Sequence, residues 1–184
     1  MKIITISFLI CSPLFLLADK IEIKNIQSEI TYELRRSGQQ IEIRYDGKSL
    51  FCSNRKGNRS YRNKVDTVYR ASRKAQHITI YNKDNQALYR LSLSGNSFRL
   101  SKQGKIIAAF KIKKETASLY DTEHQLIGKV NFDDELLKNK VKNAEATTIL
   151  SYKTATNEPA GIFLLLKSVP IEVRLILMNE FLDK

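Results

Sequence analysis

Tryptophan is absent from this chain, and cysteine, proline and glycine are scarce: two, three and seven residues among 184. Each shortage excludes something. One cysteine, Cys11, lies inside an apolar N-terminal run and only Cys52 lies beyond it, so no internal disulfide can staple a mature domain and a hydrophobic core must hold it. So few prolines and glycines leave no Pro-rich or Gly/Ser linker, and one compact domain follows. Histidine is limited to His77 and His124, which share no metal-ligand spacing with each other or with a cysteine. A Gly-x-Ser-x-Gly elbow, a His-Glu-x-x-His pair and a phosphate-cradling glycine loop are all missing, so the chain reads as a non-enzyme with no catalytic residue, metal or cofactor. Acids are in deficit too, 19 against 31 lysines and arginines, a net charge of +12.

Residues 1–18 read as a secretory signal peptide. Met1-Lys2 gives a short positive start, Ile3 to Leu17 is almost wholly apolar, and Ala18 precedes the charged pair Asp19-Lys20. The run is short for a membrane span of about twenty residues, which makes an uncleaved anchor the weaker alternative. Lipidation at Cys11 is a further alternative, disfavoured by the bulky Ile10 before it and the apolar Ser12-Pro-Leu-Phe-Leu-Leu17 after it. The expected mature protein is exported, periplasmic or secreted, and consists of residues 19–184. It keeps 30 basic and 19 acidic residues, a charge of +11. Such an excess favours anionic partners or serves solubility alone.

Alternation of apolar and polar residues marks half-buried strands at Lys20-Ile-Glu-Ile-Lys24, Ser28-Glu-Ile-Thr-Tyr-Glu-Leu34 and Gln40-Ile-Glu-Ile-Arg-Tyr45. Gly38 and Asp46-Gly47 mark turns, the second leading into a return strand, Ser49-Leu-Phe-Cys52, in which Cys52 reads as a small buried hydrophobe or a thiol that cross-links two chains. Val65 to Tyr69 is another short candidate. Between Ile78 and Phe132 a unit of strand, polar turn and strand recurs about every twenty residues, in copies starting at Ile80, Leu100 and Leu119 and passing through Leu88, Ile107 and Ile127. Repeated hairpins need partners for every edge, so the pattern predicts a mainly β, closed or nearly closed antiparallel barrel.

The end of the chain changes character. Asp133 to Lys142 reads as a short surface helix, with acids in its first turn and lysines in its last. Ala146 to Tyr152 reads as a strand, and Gly161-Ile-Phe-Leu-Leu-Leu166, apolar on both faces, as a central strand. Pro170 to Leu182 predicts a buried helix, apolar nearly all round, in preference to a strand.

The binding candidates lie in a basic window: Arg55, Lys56, Arg59, Arg62, Lys64, Arg70, Arg73 and Lys74, against the single acid Asp66, with Tyr61 and Tyr69 interleaved. Arginine forks suit phosphate, and the rings suit lipid or sugar. The competing reading is a solvated loop between hairpins. No nucleic-acid-binding motif accompanies the window.

Hairpins with the unit Ile/Leu-Tyr-x-x-polar-x-x-Leu/Ile-x-x-aliphatic, followed by an apolar hairpin and a buried terminal helix, resemble the tubby-like C-terminal superfamily. The resemblance is closest to its LURP-one-related and scramblase-like branch and spans roughly Gln40 to Leu182. It implies a closed barrel of about twelve strands threaded by a hydrophobic helix near the chain end, with function on the barrel surface. Members bind phosphoinositides or act at membranes. The export signal of this chain argues against phosphoinositides, and no functional residue is carried over. The expected function is thus an exported binding module that engages an anionic lipid, lipopolysaccharide or polysaccharide surface. The alternative is a secreted protein-interaction or structural protein, an effector or inhibitor, whose charge is incidental.

Overall fold

The computed structural model describes residues 19–28, 30–53, 57–113, 116–133, 135, 138–154 and 159–182. The expected signal segment, residues 1–18, lies outside them. Fourteen strands run in order: β1 (Asp19–Asn25), β2 (Thr31–Ser37), β3 (Gln40–Tyr45), β4 (Lys48–Ser53), β5 (Asn58–Arg62), β6 (Thr67–Lys74), β7 (His77–Asn82), β8 (Ala87–Ser94), β9 (Ser97–Lys102), β10 (Lys105–Lys113), β11 (Thr116–Tyr120), β12 (Leu126–Asp133), β13 (Lys138–Asn143) and β14 (Thr148–Lys153). A 3-10 helix, Pro159–Leu165, and an α-helix, α1 (Ile171–Leu182), follow.

Each strand pairs antiparallel with its neighbours in sequence, and β1 pairs with β14, so the sheet is a closed up-and-down barrel. Closure removes the sheet edges that repeated hairpins would otherwise expose. The barrel has fourteen strands where about twelve were expected. Its alternation is the one written in the sequence: Ile41, Ile43 and Tyr45 of β3 are buried, while Gln40, Glu42 and Arg44 between them are not. Outward positions are polar or charged almost throughout, the reverse of a barrel whose outer wall faces lipid.

The interior is filled by the two helices. α1 runs beside β3, β6 and β7, and the 3-10 helix beside β11, β12 and β13. All residues of α1 from Val173 to Phe181 except Arg174 are buried. Phe98 and Phe110 stack with centroids 4.6 Å apart, and Phe163 and Phe181 meet Phe110 edge-on, joining sheet, 3-10 helix and α1 in one aromatic cluster. Two glycines make room. Gly128 leaves the inner face of β12 bare where Leu165 descends, and Gly161 lies against the Tyr152 ring, its N–H donating to the Tyr152 hydroxyl at 2.9 Å.

Two expectations fail. Gly161–Leu165 is part of a 3-10 helix, with Leu166 just past its end, instead of a central strand, because closure through β1 and β14 leaves no edge for a further strand and the doubly apolar run goes inside. The expected helix from Asp133 to Lys142 is the end of β12 and most of β13. Asn139 and Val141 point inward, the lysines outward, and pairing to β12 and β14 on both sides outweighs the capping signal. Asp134, Leu136 and Leu137 lie outside the described residues.

Turns after odd-numbered strands lie at one end of the barrel, here the upper rim. Three of them are one device: Asn82, Asp121 and Asn143 each accept, through a side-chain oxygen, the N–H four residues on, at 2.9, 2.8 and 2.8 Å. The fourth residue of each turn, Asn85, His124 and Ala146, has φ of 62°. That places His124 as a turn residue.

Candidate functional site

From Arg59 onward the basic window is a hairpin, not a loop. Arg59 to Lys74 forms the β5–β6 hairpin, whose register divides the cations by parity. Arg59, Tyr61, Tyr69, Ala71 and Arg73 point inward, and Arg62, Arg70 and Lys74 outward. Lys64 lies in the exposed turn. Arg55 and Lys56 are outside the described residues.

Arg59 is therefore corrected from a surface cation to a core residue, 2 % exposed. Its Nη1 lies 3.2 Å from Glu180 Oε1, and its Nε donates to the Ser53 carbonyl at 3.2 Å. Tyr61 donates to the same Glu180 oxygen at 2.6 Å and accepts from Asn179 Nδ2 at 2.9 Å. Arg73 donates to the Glu180 backbone carbonyl at 2.9 Å. The physical reason is the helix end. α1 carries an acid and no base in its last turn, unfavourable against the helix dipole, and two strand arginines supply the missing positive charge. Arg59 and Arg73 are fixed by this structural work, and reversing them would damage the fold.

Burial, then the Glu180 charge, pushes the Tyr61 phenol well above its ordinary value. Burial and nearby Glu172 also raise Tyr45 and Tyr89, and bring Tyr69 to about 12. These phenols stay protonated longer in the fold than in the unfolded chain. Their contribution is intact below pH 10 and lost as pH rises past it, by about 1.4 kcal/mol per pH unit for a phenol as buried as Tyr61. The melting temperature should fall steeply between pH 10 and 12, with part of the phenolate absorbance appearing only on unfolding. All eight tyrosines titrating near pH 10 in a folded barrel would contradict this burial.

The outer wall carries the unpaired charge. On β1 to β3 the acids are matched: Glu22 and Glu33 bind Lys20 at 3.0 and 2.9 Å, and Glu42 binds Arg44 at 2.7 Å. From β4 onward, the outward strand positions among the described residues include Arg62, Arg70, Lys74, Arg90, Arg99, Lys111, Lys129, Lys138, Lys140, Lys142 and Lys153, against one acid, Asp133. Asp133 is already held by Lys140 at 3.0 Å. Lys129 stands directly opposite Lys142, while Lys138 has Lys153 opposite it on one side and Asp133 on the other. Like charges facing each other across a ladder destabilise it. The sequence signal for this wall was dispersed at every second residue over strands far apart in the chain, whereas the window between Arg55 and Lys74 was dense and contiguous.

No protein-family model, curated protein or solved structure matches this chain. The site therefore stands on its geometry alone. Among the described residues no group of three or more histidines, cysteines, aspartates or glutamates could hold a metal, and no helix is long and apolar enough to cross a membrane. Cys52 is buried, on the inner face of β4.

The upper rim adds a second element. Every large hydrophobic residue exposed among those described lies there: Ile26 and Ile30 in the β1–β2 turn, Val65 in the β5–β6 turn, and Ile106 at the start of β10. A cationic wall thus ends in a rim studded with aliphatic side chains.

Proposed function

We propose that the protein is an exported, non-enzymatic binding module that engages an anionic lipid surface through its outer wall. The observation that carries this reading is the acid-poor wall from β4 to β14, with Lys129 against Lys142 and Lys138 against Lys153. These pairs cost the isolated barrel stability, and an anionic surface relieves the cost. The exposed aliphatic residues of the upper rim favour lipid over a purely polar polyanion. Within the window first singled out, Arg62, Lys64, Arg70 and Lys74 remain available to the surface.

Co-sedimentation with phosphatidylglycerol vesicles over a salt series tests this. Binding should be strong at low salt, absent with phosphatidylcholine, and lost as the Debye length falls toward about 3 Å at 1 M. Each cation near an anionic membrane contributes about 1 kcal/mol, so changing Lys129, Lys138, Lys142 and Lys153 to Glu should weaken binding by roughly a thousandfold or more. A wild-type protein that ignores phosphatidylglycerol at low salt would refute the lipid reading and favour a protein-interaction role.

A further inference from the structure

The twenty-residue repeat has a structural meaning beyond the hairpin. On each even strand from β6 to β14 the register slips by one residue just after the upper-rim turn, and the extra residue is aliphatic every time: Val68, Leu88, Ile107, Ile127 and Ile149. A bulge sets two residues against one and re-aims the extra side chain, and bulges gather at barrel rims and beside binding sites. All five are only partly buried against the core. Ile107, Ile127 and Ile149 open into one cavity at the upper rim, about 540 Å³ in volume, within the range of ligand pockets.

The inner wall of this cavity is the end of the 3-10 helix, the link after it and the first turn of α1. Leu164, Leu165 and Leu166 form an apolar floor, Asn25, Gln27 and Asn143 give the lining a polar part, and Arg174 and Lys167 bring positive charge to it. Arg174 spends Nη1 on the Leu164 carbonyl at 2.8 Å, while its Nε is buried without a partner. With Nη1 committed, the Nε side of the guanidinium is the edge left for a planar anion, and a carboxylate matches that two-pronged edge. Among the described residues Glu145, at the exposed β13–β14 turn, is the only acid lining the cavity.

We infer that this cavity binds a single-chain amphiphile with a carboxylate head, a long-chain fatty acid, its alkyl chain against the bulged isoleucines and its carboxylate on Arg174 and Lys167. The apolar walls supply affinity without direction, and the two cations fix which end enters. This site is separate from the outer lysine wall. Its occupancy is governed by chain length and by Arg174, and depends far less on salt than vesicle binding does.

Titration of the purified protein with dodecanoate, followed by isoleucine-methyl NMR and calorimetry, tests the assignment. Shifts should concentrate at Ile107, Ile127 and Ile149 and spare Ile41, which is buried near the lower end of β3, away from the cavity. Octanoate should bind more weakly, and dodecanol about tenfold more weakly than dodecanoate for want of the charged contact. Arg174→Gln should remove the preference for dodecanoate over dodecanol. Because that variant also loses a contact to Leu164, Ile127→Gln serves as an independent arm: it should weaken both ligands about tenfold while the melting temperature changes little. Absence of dodecanoate binding at millimolar concentration, or binding indifferent to both substitutions, would overturn the proposal. Loss of vesicle binding in the lysine-to-glutamate variant with dodecanoate binding retained would show that the two sites are distinct.

Discussion

Replacing Leu177 by Asp should leave the protein without a cooperative melting transition. Leu177 is fully buried in α1, as part of the hydrophobic core inside the barrel. An aspartate there has no partner, and the cost of burying it is several kcal/mol, comparable with the whole stability of a domain, about 5–15 kcal/mol. Leu177→Ala is the milder control and should cost about 2–5 kcal/mol by opening a cavity. Truncation after Lys167, which removes α1, should have the same outcome as the aspartate. Far-ultraviolet circular dichroism and urea titration read the result. A native melting curve for Leu177→Asp would show that α1 does not fill the barrel.

The buried pair Arg59 and Glu180 should show the next largest effect and, unlike Leu177, a strongly non-additive one. Removing one partner leaves a charge in the core, so Arg59→Met or Glu180→Gln alone should cost about 3–5 kcal/mol. Making both changes together removes the charges as a pair and should cost much less than the sum of the two. Urea denaturation of the four proteins in a double-mutant cycle measures the coupling. Small, additive losses would mean that the two groups do not meet in the core. The residual cost in the double variant falls on Tyr61, whose hydroxyl donates to Glu180 at 2.6 Å.

Much of this fold is legible locally. Gln40 to Tyr45 alternates, Asp46-Gly47 turns, and the structure follows both, with β3, a turn and β4. The terminal helix was equally readable, since no surface could accept a segment apolar on all sides. What escaped local reading was decided by partners far away in sequence. Arg59 looked like one more surface cation because the glutamate that claims it comes 121 residues later. Lys138 to Asn143 looked helical because its end charges suit a helix, and only the strands on either side make it β13. Leu88, Ile107 and Ile127 were visible as landmarks of the repeat, yet alternation cannot say which residue is the extra one in a ladder. The candidate surface was harder still: outward lysines two residues apart on separate strands become neighbours only after the register is known.

The order in which the ladders occur has a consequence for how the chain reaches this state. Thirteen of the fourteen ladders join strands adjacent in sequence, and β1 with β14 is the one that spans the chain. Successive hairpins can zip up with little loop entropy lost at each step, so the curled sheet is accessible early. Its inner face, however, is lined with isoleucine, leucine and phenylalanine that nothing covers until the segments after β14 arrive. A ring that sealed first would shut out its own filling. Seam and plug must therefore come together as one event: the strands wrap around the helix as around a mandrel, and the segments that follow β14 decide when the barrel shuts.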